Sequence, residues 1–499
     1  MSSKGYMMAI DHGTTSTRAS LFDHDCKIAA IAQKESVVEY PAPGWVEQDA
    51  NEIWLDTLAV MADVINQTGI SPDDVKGIGI SNQRETSVLW DKRTGLPIYK
   101  AIVWQSRQTA DLCDEWKERG LEEMVREKTG LRIDPYFSAS KIAWMLENVP
   151  GAREKAEKGE LLFGTMDSWL VWKLTGQVRH ITDASNASRT LLCNIETLEW
   201  DKELLDAFGI PASILPQIVP TSEVYGCTAP YVFFGSEVPI ASMVGDQQAA
   251  LFGQLCLEKG MVKNTYGTGG FLLMNTGDQI VRSKNGLLST VAWKIGDKVT
   301  YALEGSIFVS GSVMKWLRDQ LHLFDSVGKT EEMALRAGST AGVYLVPGFV
   351  GLGAPYWDDR AKASLVGLSL GTNKDQIVRA AIESMAYQSR DLLEAMESDS
   401  GVPISSLKVD GGAAANNFLL QFQSDLCQIP VHRFKLNELT ALGAAFLAGL
   451  AVGFWNMEDL QIEVERTYTP ERSKEEMDKR YANWRHAVKA CQSFKPDIL

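Results

Sequence analysis

The first forty residues alternate short apolar runs with polar turns. The runs "YMMAI", "RASLF" and "IAAIAQKESVV" are typical of β-strands, and "DHGTTST" and "HDCK" separate them. We therefore predict a meander of three strands. Asp11 and Gly13 alone would satisfy a hairpin turn, yet four hydroxyl side chains and an arginine follow within residues 14–18. The turn therefore collects backbone N–H groups, hydroxyls and one cation in five residues, a combination that is typical of an anion-binding site.

After the meander, strand and helix patterns alternate. Helical periodicity covers residues 52–67, and "VKGIGIS" then predicts a buried strand. The alternation continues through "ELLFGTMDSWLVWKLTG". This pattern is typical of an α/β fold.

The opening hairpin is repeated halfway along the chain. In "GMVKNTYGTGGFLLMN" an apolar strand again enters and leaves a Gly-Thr turn, and Gly267-Thr268 lies 254 positions after Gly13-Thr14. We therefore predict two lobes that face each other across a cleft, with a boundary near residue 254. The first lobe would comprise residues 1–254 and the second residues 255–499.

The second half carries a glycine-rich turn, "VDGGAAANN". It predicts a strand ending at Asp410 and a helix beginning near Asn416. Such a turn brings the backbone close to a ligand and directs the helix dipole at it. A tight strand-to-helix connection without a ligand remains an equal alternative.

Two further helices are predicted near the carboxyl terminus. The uncharged run 440–455 has 16 residues, whereas a membrane-spanning helix needs about 20, so we expect a buried core helix. The last helix repeats apolar positions at helical spacing, which indicates a surface helix packed on its own lobe. These positions are Met477, Tyr481, Trp484, Val488 and Cys491.

Composition excludes several classes of protein. The 499 residues are 45% hydrophobic, and the formal net charge is −15, which argues against nucleic acid or an anionic membrane as partner. Seven cysteines without a C-x-x-C pair, and no apparent signal peptide, indicate the reducing cytoplasm. The sequence contains no P-loop, no dinucleotide-binding glycine motif after a strand and no zinc-ligand spacing. Any nucleotide must be held by the two hairpins and the glycine-rich turn.

Polar and aromatic residues at apparent strand ends suggest a site for a small polyol. Arg84 and Glu85 are adjacent, although a lone Arg-Glu pair is usually a solvated ion pair. Trp104 follows an apolar stretch, Tyr136 follows a proline turn, and Asp246 ends a strand. A polyol site needs a guanidinium and a carboxylate for the hydroxyls and an aromatic wall for the C–H faces. Strand ends are where α/β proteins bind ligands.

Two aspartates have candidate roles in phosphoryl transfer. This reaction needs positioning, charge neutralisation and a base near the attacking hydroxyl, and Asp246 is the candidate base. Asp11 ends the first strand and could bind Mg²⁺ through water. Aspartate is also common at the start of a turn that binds no metal.

The motifs together resemble the FGGY carbohydrate kinases of the actin/hexokinase/Hsp70 superfamily. "DHGTTSTR", "SNQRET", "GDQQAALFGQ", "NTYGTGG" and "VDGGAAANN" occur in the family's order, and the resemblance extends over essentially the whole chain. It implies two actin-like (ribonuclease H-like) α/β lobes with an inter-lobe cleft. It also implies ATP- and Mg²⁺-dependent phosphorylation of glycerol to sn-glycerol 3-phosphate in glycerol catabolism, by a homodimer or homotetramer.

The resemblance also implies roles for individual residues. Residues lining the glycerol site would be Arg84, Glu85, Trp104, Tyr136, Asp246, Gln247 and Phe271, with Asp246 as the base and Asp11 on the metal. Residues that meet the phosphates would be Thr14, Thr15, Ser16 and Arg18. Residues of the second lobe that hold ATP would be Thr268, Gly311, Lys315, Gly412 and Asn416. The pattern around Gly311 by itself predicts only an ordinary helix start.

The sequence departs from the family at four places. His12 replaces the usual glutamine, which would make phosphate binding depend on pH. Lys315 stands where glutamine is frequent, so its nucleotide contact would differ. In place of the Gly-x-Arg loop that binds fructose 1,6-bisphosphate in some relatives, residues 235–237 read Gly-Ser-Glu. Since no histidine lies between residues 180 and 322 either, we expect neither bisphosphate control nor phosphorylation of a loop histidine.

Two rival functions remain open at this point. A pentulose or other sugar kinase would share the fold, but a larger sugar needs the space that Trp104 and Phe271 would fill. A non-catalytic actin-like protein would bind nucleotide only to change shape or form filaments, and it would have no use for Asp246 beside a polyol pocket. Glycerol-dependent release of ADP separates these alternatives.

Overall fold

The computed structural model describes residues 5–358 and 360–495, in which the chain forms twenty-three strands and fifteen α-helices. The strands up to residue 245 are β1 (Tyr6–His12), β2 (Ser16–Phe22), β3 (Ile28–Glu35), β4 (Glu47–Gln48), β5 (Val75–Asn82), β6 (Val88–Asp91), β7 (Ala101–Ile102), β8 (Leu161–Gly164), β9 (Ile181–Asp183), β10 (Cys193–Asn194), β11 (Glu199–Trp200), β12 (Gln217–Val219), β13 (Ser222–Cys227) and β14 (Pro239–Gly245). The later strands are β15 (Val262–Tyr266), β16 (Gly270–Gly277), β17 (Leu288–Ile295), β18 (Lys298–Ile307), β19 (Tyr344–Val346), β20 (Ser364–Val366), β21 (Leu407–Asp410), β22 (Val431–Phe434) and β23 (Val464–Tyr468).

The helices are distributed over both halves. Those up to residue 253 are α1 (Ala50–Thr68), α2 (Ala110–Glu118), α3 (Glu122–Thr129), α4 (Ser138–Asn148), α5 (Ala152–Glu157), α6 (Met166–Leu174), α7 (Ala184–Ala187), α8 (Lys202–Phe208) and α9 (Asp246–Gly253). The later ones are α10 (Gly311–Asp319), α11 (Thr330–Ala337), α12 (Lys374–Ser400), α13 (Asn417–Cys427), α14 (Leu439–Val452) and α15 (Lys474–Ser493).

The central sheet contains the same five-strand arrangement twice. The first set has the order β3-β2-β1-β5-β14 and the second β18-β16-β15-β21-β22. In each set the first three strands in chain order are antiparallel neighbours, and two later strands add in parallel. We call these sets, with the helices between their strands, the first and second lobes. β13 and β17 join the two sets, and β23 adds beside β22, which gives one sheet of thirteen strands.

Several predicted elements are confirmed. The opening meander is β1 to β3, and the two Gly-Thr hairpins are β1-β2 and β15-β16. β21 ends at Asp410, and Asn416 is the N-cap of α13. The last helix, α15, buries all five of its predicted apolar positions in the core of the second lobe.

Helix α14 is the buried helix that the uncharged run predicts. It packs against α9 and on β1, β5 and β14, so a helix from late in the chain completes the first lobe. Two glycines permit this contact. A Cβ at Gly443 would lie 1.9 Å from the carbonyl oxygen of Ala249, and one at Gly253 would lie 2.0 Å from that of Leu439. Within residues 5–358 and 360–495, no helix combines the length and the apolar character needed to cross a membrane.

Candidate active site

The parallel strands of the first lobe place the candidate acids at one edge of the sheet. His12 pairs with Asn82, and Asn82 pairs with Gly245, so β1, β5 and β14 end at the same level. Asp11 lies at the end of β1, and Asp246 follows β14 as the first residue of α9. Tertiary structure thus brings together two carboxylates that are 235 positions apart in the sequence.

Asp11 is a buried carboxyl that lies near one cation and two other acids. Burial raises its pKa to about 7; Arg18 acts against this shift, whereas Asp246 and Glu438 add to it. Among the described residues, no group of three or more His, Cys, Asp or Glu side chains could hold a metal ion. Mg²⁺ nevertheless fits here, because it usually takes one or two carboxylates and completes its shell with water and phosphate oxygens.

The β1-β2 turn links a residue predicted to bind phosphate with one predicted to bind the polyol. It is closed by a 2.9 Å hydrogen bond from Gly13 N to Ser16 O. The Thr14 hydroxyl accepts a 2.8 Å hydrogen bond from Trp104 Nε1. Thr15 is exposed, and Arg18 donates to Glu438 Oε2 at 3.0 Å, next to α14. The structure therefore places Thr14 and Trp104, taken from the two predicted groups, in direct contact.

His12 does not have the role expected from the sequence. Its side chain is fully buried, with Nδ1 2.8 Å from Thr17 Oγ1 and Nε2 3.0 Å from Gln83 Nε2. Burial lowers its pKa to about 4. The imidazole is therefore neutral at physiological pH, and the expected pH dependence of phosphate binding is wrong because the side chain is held inside the hairpin.

Arg84 and Glu85 lie in an unusual backbone turn after β5. Glu85 has φ of +62°, and Thr86 N donates to Arg84 O at 2.7 Å, which closes a γ-turn. A positive φ is costly for a residue with a long side chain, and such strain is concentrated at functional sites. Both side chains are almost completely buried. The solvated ion pair considered from sequence is therefore excluded.

Two buried residues that the sequence analysis missed complete this ion pair. Glu304, on β18, accepts from Arg84 at 2.5 and 2.9 Å. Arg189 donates to Glu85 at 2.7 Å and to Glu304 at 3.0 Å, and its guanidinium lies over the rings of Tyr136 and Phe137. We call Arg84, Glu85, Arg189 and Glu304 the buried charge network. No local motif marked Arg189 or Glu304, since their partners are 104 to 220 positions away.

The two glutamates of the buried charge network differ in pKa. Burial raises the pKa of Glu85, although Arg189 and Arg84 act against this shift. For Glu304 burial acts in the same direction, but Arg189 and Arg84 outweigh it and lower the pKa to about 2. The difference follows from contact, because Glu304 bonds directly to both guanidinium groups, whereas Arg84 Nε is 3.8 Å from Glu85.

Three aromatic side chains of the predicted polyol site contact one another. Trp104 meets Tyr136 edge to face with ring centroids 5.5 Å apart, and it meets Phe271 at 6.2 Å. Tyr136 OH accepts from Arg84 at 3.3 Å, and Asp246 Oδ1 lies 3.5 Å from Arg84 Nε. Phe271 comes from β16 in the second lobe. The acid, the guanidinium and the aromatic rings are thus neighbours, and they come from both lobes.

The candidate nucleotide residues of the second lobe lie around the second hairpin turn. Thr268 O accepts hydrogen bonds from Ser310 N at 2.9 Å and from Ser312 N at 3.2 Å. A Cβ at Gly311 would lie 2.6 Å from Gly267 O, so only glycine lets α10 begin this close to the turn. This steric requirement is not visible in the sequence, which explains why the local pattern did not mark Gly311.

The glycine-rich turn after β21 lies beside the same hairpin. Gly411 has φ of +87°, and a Cβ there would lie 2.5 Å from Tyr266 O. A Cβ at Gly412 would meet nothing within 4 Å, so its backbone faces open space. Asn416 caps α13, and Lys315 is exposed on α10. Of the predicted nucleotide residues, Thr268, Lys315 and Gly412 are exposed, whereas Gly311 and Asn416 are half-buried.

Comparison with known proteins identifies relatives over almost the whole chain. Residues 6–253 match the N-terminal domain of the FGGY family of carbohydrate kinases, and residues 262–452 match its C-terminal domain. The protein named glycerol kinase from Geobacillus sp. (strain WCH70) is 58% identical over 98% of this chain and 99% of its own length.

Solved structures show the same architecture. The glycerol kinase of Plasmodium falciparum with ADP has a TM-score of 0.92 and 34% identity and covers 98% of both chains. The xylulose kinase of Lactobacillus acidophilus has a TM-score of 0.87 at 22% identity, covering 98% of this chain and 99% of its own. The predicted fold with two actin-like lobes is therefore confirmed.

Proposed function

Because the chain belongs to the FGGY family of carbohydrate kinases, we propose that it transfers the γ-phosphoryl group of ATP to glycerol, giving sn-glycerol 3-phosphate and ADP in glycerol catabolism. One observation carries the choice of acceptor. Arg84 lies 3.5 Å from Asp246, and Trp104 meets the ring of Tyr136 and donates to the hydroxyl of Thr14. This combination of a guanidinium, a carboxylate and aromatic rings suits a small polyol such as glycerol. A relative 58% identical bears the name glycerol kinase, which supports the same acceptor.

The mechanism uses Asp246 as a general base. As the glycerol oxygen bonds to the γ-phosphorus, the bond to the β–γ bridging oxygen breaks, and Asp246 accepts the hydroxyl proton. Arg84 and Glu85 hold the remaining hydroxyls, while Trp104, Tyr136 and Phe271 cover the C–H faces. Gln247 fixes the Asp246 carboxylate through hydrogen bonds of 2.7 and 3.2 Å. Closure of the cleft would exclude water, whose attack on ATP would waste it.

The phosphates would lie between the two hairpin turns. Thr14, Thr15, Ser16 and Arg18 would contact them from the first lobe, and Thr268 from the second, while Gly311, Lys315, Gly412 and Asn416 would hold the rest of the nucleotide. Mg²⁺ held near Asp11 would neutralise part of the negative charge of the phosphates. We further expect a homodimer or homotetramer, which analytical ultracentrifugation would detect.

The test of function is a coupled assay of ADP release with Mg²⁺-ATP and a panel of acceptors. Glycerol, xylulose, ribulose and gluconate are compared at equal concentration. Turnover with glycerol alone is the expected result. Turnover with a pentulose would retain the fold and the phosphate region but refute the assignment of the aromatic pocket. Folded protein without any acceptor-dependent ADP release would favour the non-catalytic, actin-like alternative.

Thr14→Val is expected to raise the KM for ATP by at least about tenfold, because a hydrogen bond to a charged phosphate contributes about 1.5 to 3 kcal/mol. The KM for glycerol should change much less. Thr14→Ser retains the hydroxyl and is the matched control, with both constants within about twofold of wild type. Equal increases in both KM values for Thr14→Val would count against a phosphate contact.

Asp11→Asn is expected to raise the Mg²⁺ concentration for half-maximal activity about tenfold, as for other groups that hold a metal through water. Glycerol affinity, measured by calorimetry without nucleotide, should not change. An unchanged Mg²⁺ requirement would remove Asp11 from the metal site.

A further inference from the structure

Lys263 is a completely buried cation in the second lobe. It lies on β15, and its Nζ donates to Gln247 Oε1 and, at 2.9 Å, to Thr265 Oγ1. Gln247 belongs to α9, so this hydrogen bond connects the second lobe to the helix that begins with Asp246.

The bond from Lys263 determines the orientation of the Gln247 amide. A lysine ammonium only donates, so the carbonyl end of the amide must face Lys263. The NH₂ end then faces the opposite way, where Nε2 donates to Asp246 Oδ2 at 3.2 Å. With Gln247 N donating to Oδ1 at 2.7 Å, both oxygens of the Asp246 carboxylate are held.

The surroundings keep Lys263 charged in spite of its burial. Burial lowers its pKa to about 8, while Asp410 and Asp246 act in the opposite direction. Asp410 is itself buried at the end of β21, and its Oδ1 has no hydrogen-bond partner in the described part of the chain. At neutral pH Lys263 is therefore mainly the cation that donates to Gln247.

We propose that Lys263 is a positioning residue for the phosphoryl-transfer reaction, which fixes the Gln247 amide and through it the carboxylate of Asp246. The proposal rests on the proposed function, since it assigns Asp246 as the base. Without Lys263 the Gln247 amide can turn so that its carbonyl oxygen faces the Asp246 carboxylate. The two oxygens then repel each other, and the carboxylate is displaced. Displacement of a reacting group by about 1 Å can cost about a hundredfold in rate.

A neighbouring lysine offers a matched control. Lys408 pairs with Lys263 across β15 and β21, and it also contacts the end of α9. Its Nζ donates to the carbonyl oxygens of Gln254 and Leu255, both at 2.9 Å. Lys408 thus connects the second lobe to the far end of α9, away from Asp246.

The experiment compares Lys263→Met with Lys408→Met and with Gln247→Leu. We expect Lys263→Met to lower kcat at least tenfold with less than a threefold change in the KM for glycerol, whereas Lys408→Met retains kcat within twofold. The kcat of the double variant K263M/Q247L should lie within twofold of the kcat of Q247L, because both changes remove the same hydrogen-bond connection. Thermal unfolding midpoints of wild type, K263M, Q247L and the double variant give a second double-mutant cycle, which does not depend on activity.

Three results would overturn the proposal. The first is a kcat of K263M within threefold of wild type, and the second is a loss of kcat in K408M equal to that in K263M. The third is a double variant whose kcat falls by the product of the two single losses and whose unfolding midpoint falls by the sum of the two single shifts. The comparison uses the acceptor that the wild-type protein turns over fastest. Lack of turnover with glycerol would thus refute the proposed function, while the coupling between Lys263 and Gln247 would still be measured on another acceptor or in the unfolding cycle.

Discussion

Asp246→Asn is expected to lower kcat for glycerol phosphorylation by about a thousandfold, within the range that a positioned general base contributes. Asparagine has nearly the same shape but cannot accept the hydroxyl proton. Its side chain can still face Arg84, which lies 3.5 Å from Asp246 in the wild-type protein. Substrate binding should therefore be retained, and calorimetry should give a Kd for glycerol within about threefold of wild type.

The control for this variant is Asp297→Asn, which makes the same chemical change in the exposed turn between β17 and β18. It should leave kcat and the KM values unchanged. An Asp246→Asn enzyme that retains more than a tenth of wild-type kcat would refute the role as base. Together with Asp11→Asn, the pair separates two functions of neighbouring carboxylates, since only the Asp11 variant should respond to added Mg²⁺.

Glu304→Gln is expected to lower the free energy of unfolding at pH 7 by about 3 kcal/mol, because it leaves two buried guanidinium groups with one carboxylate between them. The KM for glycerol should also rise, since Arg84 loses the partner that holds it at 2.5 and 2.9 Å. Urea unfolding and steady-state kinetics measure the two effects.

The stability that Glu304→Gln removes should depend on pH in one direction only. The folded pKa of Glu304, about 2, lies below the ordinary value of 4.5. Its contribution to stability is therefore fully present above pH 4.5 and is lost as the pH falls through 2. The difference in unfolding free energy between wild type and E304Q should be constant above about pH 5 and should narrow towards pH 2.

Glu383→Gln is the matched control for Glu304→Gln. Glu383 is also buried and accepts from Arg379 at 2.8 Å, but both lie on α12. Its loss should destabilise the protein without changing the KM for glycerol. If E304Q and E383Q raise this KM equally, or if E304Q is as stable as wild type, the buried charge network has no specific part in holding the polyol site.

The local pattern of the sequence was sufficient for the elements that carry the site. The hairpin of Gly13-Thr14, its repeat at Gly267-Thr268 and the turn after Asp410 each combine an apolar strand with a short run of turn residues. Because these signals depend on neighbouring residues, they were visible without the fold. The same holds for the buried character of α14 and for the apolar face of α15.

Tertiary structure decided which side chains meet and which are buried. Arg189 and Glu304 come from distant segments, and no local spacing distinguishes them from surface charges. His12 has the residue type of a pH sensor, but burial between Thr17 and Gln83 lowers its pKa and removes that role. The sequence by itself determined the strands, the turns and the kinds of chemistry available. Only the packing of the folded chain determined which charged groups are partners and how their pKa values shift. Desolvation and Coulomb interactions depend on distances in space, which cannot be read from the order of residues.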